Sequence, residues 1–150
     1  MIRCVIAMCA AAAAIPSAAF ACEGARGAQS AMTKAAPPLK ELSVKEVAAL
    51  SAAGGVKVFD ANSAETRSRY GIIPGAGMLS SATRFDPSKE LPRDKGAKLV
   101  FYCASSRCTA STLAAQRALE AGYSDVSVMP AGIIGWKEAG QSTRASTSNI

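Results

Sequence analysis

The chemistry on offer is concentrated in one short stretch, LVFYCASSRCTAS, where Cys103 and Cys108 flank Ala104, Ser105, Ser106 and Arg107. An apolar run precedes the pair and an alanine-rich amphipathic segment follows it, so the cysteines stand where a strand hands over to a helix. A thiol placed there meets converging backbone N–H groups and the positive end of a helix dipole, and both favour thiolate at Cys103. Small residues let the loop curl around a ligand, Arg107 adds a cation, and Thr109 is placed to cap the helix. Spacing alone leaves three roles open: a reactive nucleophile in an anion-binding cradle, a plain disulfide, or a buried cysteine acting as a small hydrophobe.

Histidine is absent, which removes Ser-His-Asp and Cys-His pairs, histidine zinc motifs and imidazole bases together. What remains is thiolate, carboxylate, hydroxyl, Lys and Arg chemistry, and no cofactor is implied. A metal centre needs about four ligands, and too few thiolates are available to supply them.

The elements that must position the loop follow from periodicity and capping. Ser43 and Glu46 form a capping box ahead of a helix over LSVKEVAALSAAGG, with Leu42 and Val47 as a hydrophobic staple and Gly54 as the stop. VKVFD, 56–60, reads as a strand ending in Asp60. NSAETRSRYG reads as a second helix, capped by Asn62, with Glu65 at its third position and Gly71 closing it. AGMLSS is a second strand, KLVFY (98–102) a third and central one, and DVSVM (125–129) a fourth. TASTLAAQRALEAGY gives helical spacing through Leu113, Ala114, Arg117, Ala118 and Ala121, ended by Gly122. Strands alternating with helices imply an α/β fold with a mainly parallel sheet, whose ligand site lies at the carboxyl ends of the strands, where Asp60 and Cys103 fall.

The ends carry other information. Residues 1–21 read as a signal peptide: Arg3, the apolar run CVIAMCAAAAAI and the small-x-small AFA. That run is too short to span a bilayer. Export implies an oxidising compartment, with the bacterial periplasm as the expected location. Cleavage leaves Cys22, Cys103 and Cys108, an odd number. AFAC is a poor version of a lipoprotein signal, so Cys22 carries either an ordinary new N-terminus or a lipid anchor. Residues 22–38 read as a flexible linker, and 142–150 as a disordered tail. The whole chain has a formal charge of +6, and the mature part +5, from 16 basic against 11 acidic residues. That balance suits anionic substrates, whereas scattered basic residues and few aromatics argue against nucleic acid.

Three blocks in this order resemble the single-domain rhodanese-like sulfurtransferases, over 39–141: VFDANSAETRSRYGIIPGAGML, LVFYCASSRCTAS, and the closing Gly132, Trp136, Gly140 pattern of MPAGIIGWKEAG. The resemblance implies a rhodanese-like three-layer sandwich with a mainly parallel central sheet. It implies that Cys103 takes a sulfane sulfur as a persulfide, that Ala104, Ser105, Ser106, Arg107, Cys108 and Thr109 bind substrate, and that a thiol accepts the sulfur. Asp60 and Trp136 are supporting residues, expected to hold a turn and to pack beside the loop. Four positions depart from the family: Asn62 replaces a frequent Arg, Ile72 a His, Ser106 a Gly, and Cys108 the loop's final Arg. A second thiol at Cys108 can attack the inner sulfur of a persulfide on Cys103, releasing hydrosulfide and leaving a disulfide, or can hold Cys103 as a protective disulfide until a reductant or sulfur donor opens it. The rivals are a dithiol redox protein or sensor, a non-catalytic binding module, and a thiol phosphatase, against which the short loop and Thr109 in place of Arg both speak.

Overall fold

The structure is a computed structural model that describes residues 38–146. The expected leader, Cys22 and nearly all of the expected linker lie outside the described residues, as do 147–150.

Five strands, β1 (Lys40–Glu41), β2 (Lys57–Asp60), β3 (Gly77–Met78), β4 (Leu99–Tyr102) and β5 (Val126–Met129), form one sheet in the order β1-β5-β4-β2-β3. Every pairing is parallel. The helices are α1 (Val44–Ala52), α2 (Ala64–Tyr70), α3 (Pro87–Glu90), α4 (Ala110–Glu120) and α5 (Gly132–Glu138).

Alternation along the central strands assigns each face its own core. Phe59, Leu99, Phe101, Val126 and Val128 face one way and pack with Phe85, Leu91 and the α4 alanines Ala114, Ala115 and Ala118. Val58, Val100, Tyr102 and Met129 face the other way, with Val47 of α1 and Ile133 and Trp136 of α5. β4 is buried along its whole length, as a central parallel strand covered on both faces must be. This is a layered α/β fold with a wholly parallel sheet.

The capping box of α1 is present: Ser43 N and Oγ donate to Glu46 Oε2 at 2.8 and 2.7 Å, and Glu46 N donates to Ser43 Oγ at 3.3 Å. The second helix starts one residue later than its expected cap. Asp60 Oδ1 accepts the Asn62 N–H at 2.7 Å, so Asn62 belongs to the turn, and Ser63 Oγ accepts from Thr66 N instead. Thr109 occupies the cap position of α4, but its helical backbone conformation leaves its side chain without a capping bond. Leu113 turns outward and is 42% exposed; the helix lies on the sheet through its alanines and Ser111 instead.

Three elements escaped the sequence pattern. β1 is exposed and pairs only through its backbone with β5, extended by Leu42 N to Val128 O at 2.8 Å. α3 carries a legible signal, an Asp86 N-cap followed by Pro87. α5 occupies the closing GIIGWKE segment. The packed chain also runs past 141 into the expected tail: Ile72 and Arg144 exchange two backbone hydrogen bonds of 2.9 Å, and Trp136 Nε1 donates to Ser142 O at 2.8 Å.

Candidate functional site

The carboxyl ends of β2 and β4 lie side by side, with Asp60 opposite Tyr102. Asp60 is fully buried, and both its carboxyl oxygens have hydrogen-bond partners. Tyr102 Oη donates to Asp60 Oδ2 at 2.6 Å and accepts the Ile73 N–H at 3.1 Å. Arg67 Nε lies 3.2 Å from Asp60 Oδ1, and Arg67 Nη2 donates to the carbonyls of Asp60 and Leu79 at 2.9 and 2.8 Å. Burial first, then the Asp60 carboxylate, push the Tyr102 hydroxyl far above its ordinary value, so it stays a neutral donor. This network ties together the ends of β2 and β4, from the second of which the cysteine loop departs. Asn62 is also buried, and its Nδ2 has no hydrogen-bond partner among the described residues.

The loop is anchored from the far side by α5. Ile133 N donates to Cys103 O at 2.8 Å and Ile134 N to Ala104 O at 3.0 Å. Gly132 makes this approach feasible: its φ is +61°, and a Cβ there would sit 2.5 Å from Ala104 C and 2.6 Å from Cys103 O. The closing Gly-Trp-Gly pattern therefore has a mechanical meaning. Gly132 admits the loop, Trp136 packs in the second core and ties down Ser142, and Gly140 follows the helix end with a φ of +73°.

Within the loop, a turn closes from Cys108 N to Ser105 O at 3.0 Å. Cys103 is 0% exposed; its thiol reaches Cys108 O at 3.1 Å and Ser105 O at 3.8 Å, and shares a 3.3 Å hydrogen bond with Ser111 Oγ. Cys108 is half-buried, and both thiols are free. The N–H groups of the loop and first helical turn are divided between the two sulfurs, that of Ser111 on Cys103 and those of Ala104 and Ala110 on Cys108.

That division runs against the thiolate expected at Cys103. Burial, and then the adjacent Cys108 side chain, push the Cys103 thiol up, with Ser111 only partly opposing them. Burial also acts upward on Cys108, but hydrogen bonds from Cys103 and from the Ala104 and Ala110 N–H groups outweigh it and hold that thiol below its ordinary value. The cradle of amides exists, but it favours thiolate at the second cysteine.

Ser105, Ser106 and Arg107 line an open cleft of about 430 Å³ together with Ala131, Ile134, Gly135 and Glu138. The structure thus gathers the middle of the loop around a cleft. Ala104 supports the loop through its backbone, and neither cysteine, Thr109 nor Trp136 lines that cleft. Sequence reasoning missed Tyr102 and Ser111. A tyrosine ending a central strand and a hydroxyl inside the first turn of an apolar helix face were the available signals, since a buried hydroxyl needs a partner. Among the described residues no cluster of three or more His, Cys, Asp and Glu side chains could hold a metal, and no helix is long and apolar enough to cross a membrane.

The family model described as Rhodanese-like domain matches residues 43–139. Among solved structures, a human single domain sulfurtransferase is 27% identical with a TM-score of 0.54, covering 67% of this chain and 97% of that one. A Pseudomonas aeruginosa thiosulfate sulfurtransferase is 28% identical with a TM-score of 0.59, covering 73% of this chain but only 21% of that one. A Rhodopseudomonas palustris protein of unknown function, described as a possible tyrosine phosphatase, is 25% identical with a TM-score of 0.56, covering 71% of this chain and 85% of that one. Comparison with curated protein sequences finds no match.

Proposed function

The chain belongs to the rhodanese-like domain family, and from that premise we propose that it is an exported sulfurtransferase carrying sulfane sulfur as a persulfide on Cys103, with Cys108 as redox or resolving partner. The observation that carries this reading is a cysteine at the carboxyl end of the central strand, hydrogen-bonded to Ser111 of the following helix, in a loop held by α5. Two solved neighbours are named as sulfurtransferases. The substrate is a small sulfur-containing anion such as thiosulfate, or a polysulfide, and a thiol takes the sulfur onward. Exposed Arg107, beside the cleft, supplies the attraction for an anion. The leader-like N-terminus supports the periplasm as location, with cleavage before Cys22 or lipidation on it.

The test is to treat the reduced protein with thiosulfate or polysulfide and locate a one-sulfur mass adduct by peptide mapping. An adduct on the loop peptide is expected; its absence from both cysteines of the wild type overturns the reading. A second reading, a dithiol redox protein, is favoured by the closeness of the two cysteines, whose thiols shift each other's acidity and of which the Cys103 thiol meets Cys108 O at 3.1 Å. It predicts a Cys103 to Cys108 crosslink with no sulfur retained. Export is tested by the N-terminal mass of the protein recovered from the periplasmic fraction, expected to begin at Cys22.

A further inference from the structure

The two loop cysteines are not equivalent targets. Cys103 is closed off by Cys108 O at 3.1 Å, Ser111 Oγ at 3.3 Å and Ser105 O at 3.8 Å, and none of its surface reaches solvent. Displacement at sulfur needs nucleophile, attacked sulfur and leaving group nearly in line, so the attacking thiolate needs one open approach. Cys103 has none with the loop in this conformation. Cys108, at the start of α4 and beside the exposed Arg107, is only half-buried and is the more accessible of the two.

We propose that Cys108 is the thiol that first takes sulfane sulfur from the donor, and that it hands the sulfur inward to Cys103. This rests on the sulfur-transfer reading above and adds the order in which the two cysteines work. With thiosulfate, the Cys108 thiolate attacks the sulfane sulfur. A bond forms between Cys108 Sγ and that sulfur, the bond to the sulfonate group breaks, and sulfite leaves with the electron pair. Cys108 is then a persulfide anion. Cys103 next attacks the terminal sulfur, the bond from Cys108 Sγ to that sulfur breaks, and the proton given up by Cys103 ends on Cys108. The products are a Cys103 persulfide anion and a Cys108 thiol, with no oxidant or reductant consumed.

The placement of charge in the loop agrees with this order. The amides of Ala104 and Ala110 stabilise negative charge on the Cys108 sulfur, whereas Cys103 faces two backbone carbonyls that favour its thiol form. The shielded site then protects the stored persulfide from water and from further oxidation.

The experiment follows the reduced full chain, its Cys103→Ser variant, and both Cys108→Ser and Cys108→Ala, mixed with thiosulfate and separately with polysulfide. Time-resolved peptide mapping follows the adduct throughout, and sulfite release is measured in the thiosulfate arm. The expected result is a one-sulfur adduct accumulating on Cys108 in Cys103→Ser, with one sulfite released where thiosulfate is the donor. Loading of Cys103 in both Cys108 variants is expected to slow at least tenfold. Loading of Cys103 at the wild-type rate in either Cys108 variant, or no adduct on Cys108 in Cys103→Ser, overturns the order and leaves the sulfurtransferase reading standing. A wild type that ends as a disulfide with one hydrosulfide released overturns the inward hand-over. A wild type that loads neither cysteine removes the sulfurtransferase reading and this order together. Limiting iodoacetamide on the wild type tests the order without any variant, expecting label on Cys108 first; label on Cys103 first refutes it.

Discussion

Replacing Tyr102 by Phe removes one oxygen atom from the buried network beneath the cysteine loop. The hydroxyl donates to Asp60 Oδ2 at 2.6 Å and accepts from Ile73 N at 3.1 Å. A hydrogen bond to a charged partner is worth about 1.5–3 kcal/mol, and a buried N–H left unsatisfied costs about 1–3 kcal/mol. Asp60 keeps Asn62 N and Arg67 on its other oxygen, so the carboxylate is not stranded and the lower half of each range applies. The expected loss is about 3 kcal/mol, or about 12 °C in Tm at about 4 °C per kcal/mol for a domain of this size. Urea and thermal unfolding read it directly through the fluorescence of the single tryptophan, Trp136, which is 4% exposed. Adding Asp60→Asn to form a double-mutant cycle should show a coupling of at least about 1 kcal/mol between the two side chains. A loss below about 1 kcal/mol with no coupling would refute the argument that this network supports the strand end.

Gly132→Ala should be among the most damaging small substitutions. A positive φ costs an alanine about 1–2 kcal/mol, and the new methyl overlaps Ala104 and Cys103 carbonyl atoms, so a total of about 3 kcal/mol and displacement of the loop are expected, measured by unfolding and by faster alkylation of Cys103. Ser111→Ala removes a hydroxyl that lowers the Cys103 pKa, so the pH profile of Cys103 alkylation should move upward while that of Cys108 stays; an unmoved Cys103 profile contradicts the contact. Glu90 is held below the usual glutamate range because hydrogen bonds from Ser80 and Asp86 outweigh the upward push of its burial. Its stabilisation is therefore present above the unfolded value of about 4.3 and lost as pH falls through the folded one. The Tm gap between wild type and Glu90→Gln should be open at about pH 7 and narrow progressively as pH falls below the unfolded value and through the folded one. Trp136→Phe keeps most of the ring burial but leaves Ser142 O without its donor, and about 1 kcal/mol of destabilisation is expected by urea unfolding.

Legibility in this sequence followed locality. The Ser43–Glu46 box, the apolar runs of β2, β4 and β5, and the strand-loop-helix frame around Cys103 depend on residues a few positions apart, and all stand in the structure. The three-residue motif of Gly132, Trp136 and Gly140 was visible, but not its reason, which is the approach of α5 to a loop some thirty residues earlier. β1 carries no apolar pattern because only its backbone pairs, and backbone pairing leaves no mark on side-chain order.

The sequence by itself determined that this chain builds a parallel α/β layer structure and presents a cysteine pair at the end of its central strand, since periodicity, capping and spacing are local properties. Which of the two sulfurs is buried and which is held as the better thiolate was decided only in the folded chain. That outcome depends on where the carbonyls of Ser105 and Cys108, the Ser111 hydroxyl and the N–H groups of Ala104 and Ala110 come to rest. An electrostatic preference of this kind is set by distances of a few ångströms between atoms whose residue types say nothing of their orientation.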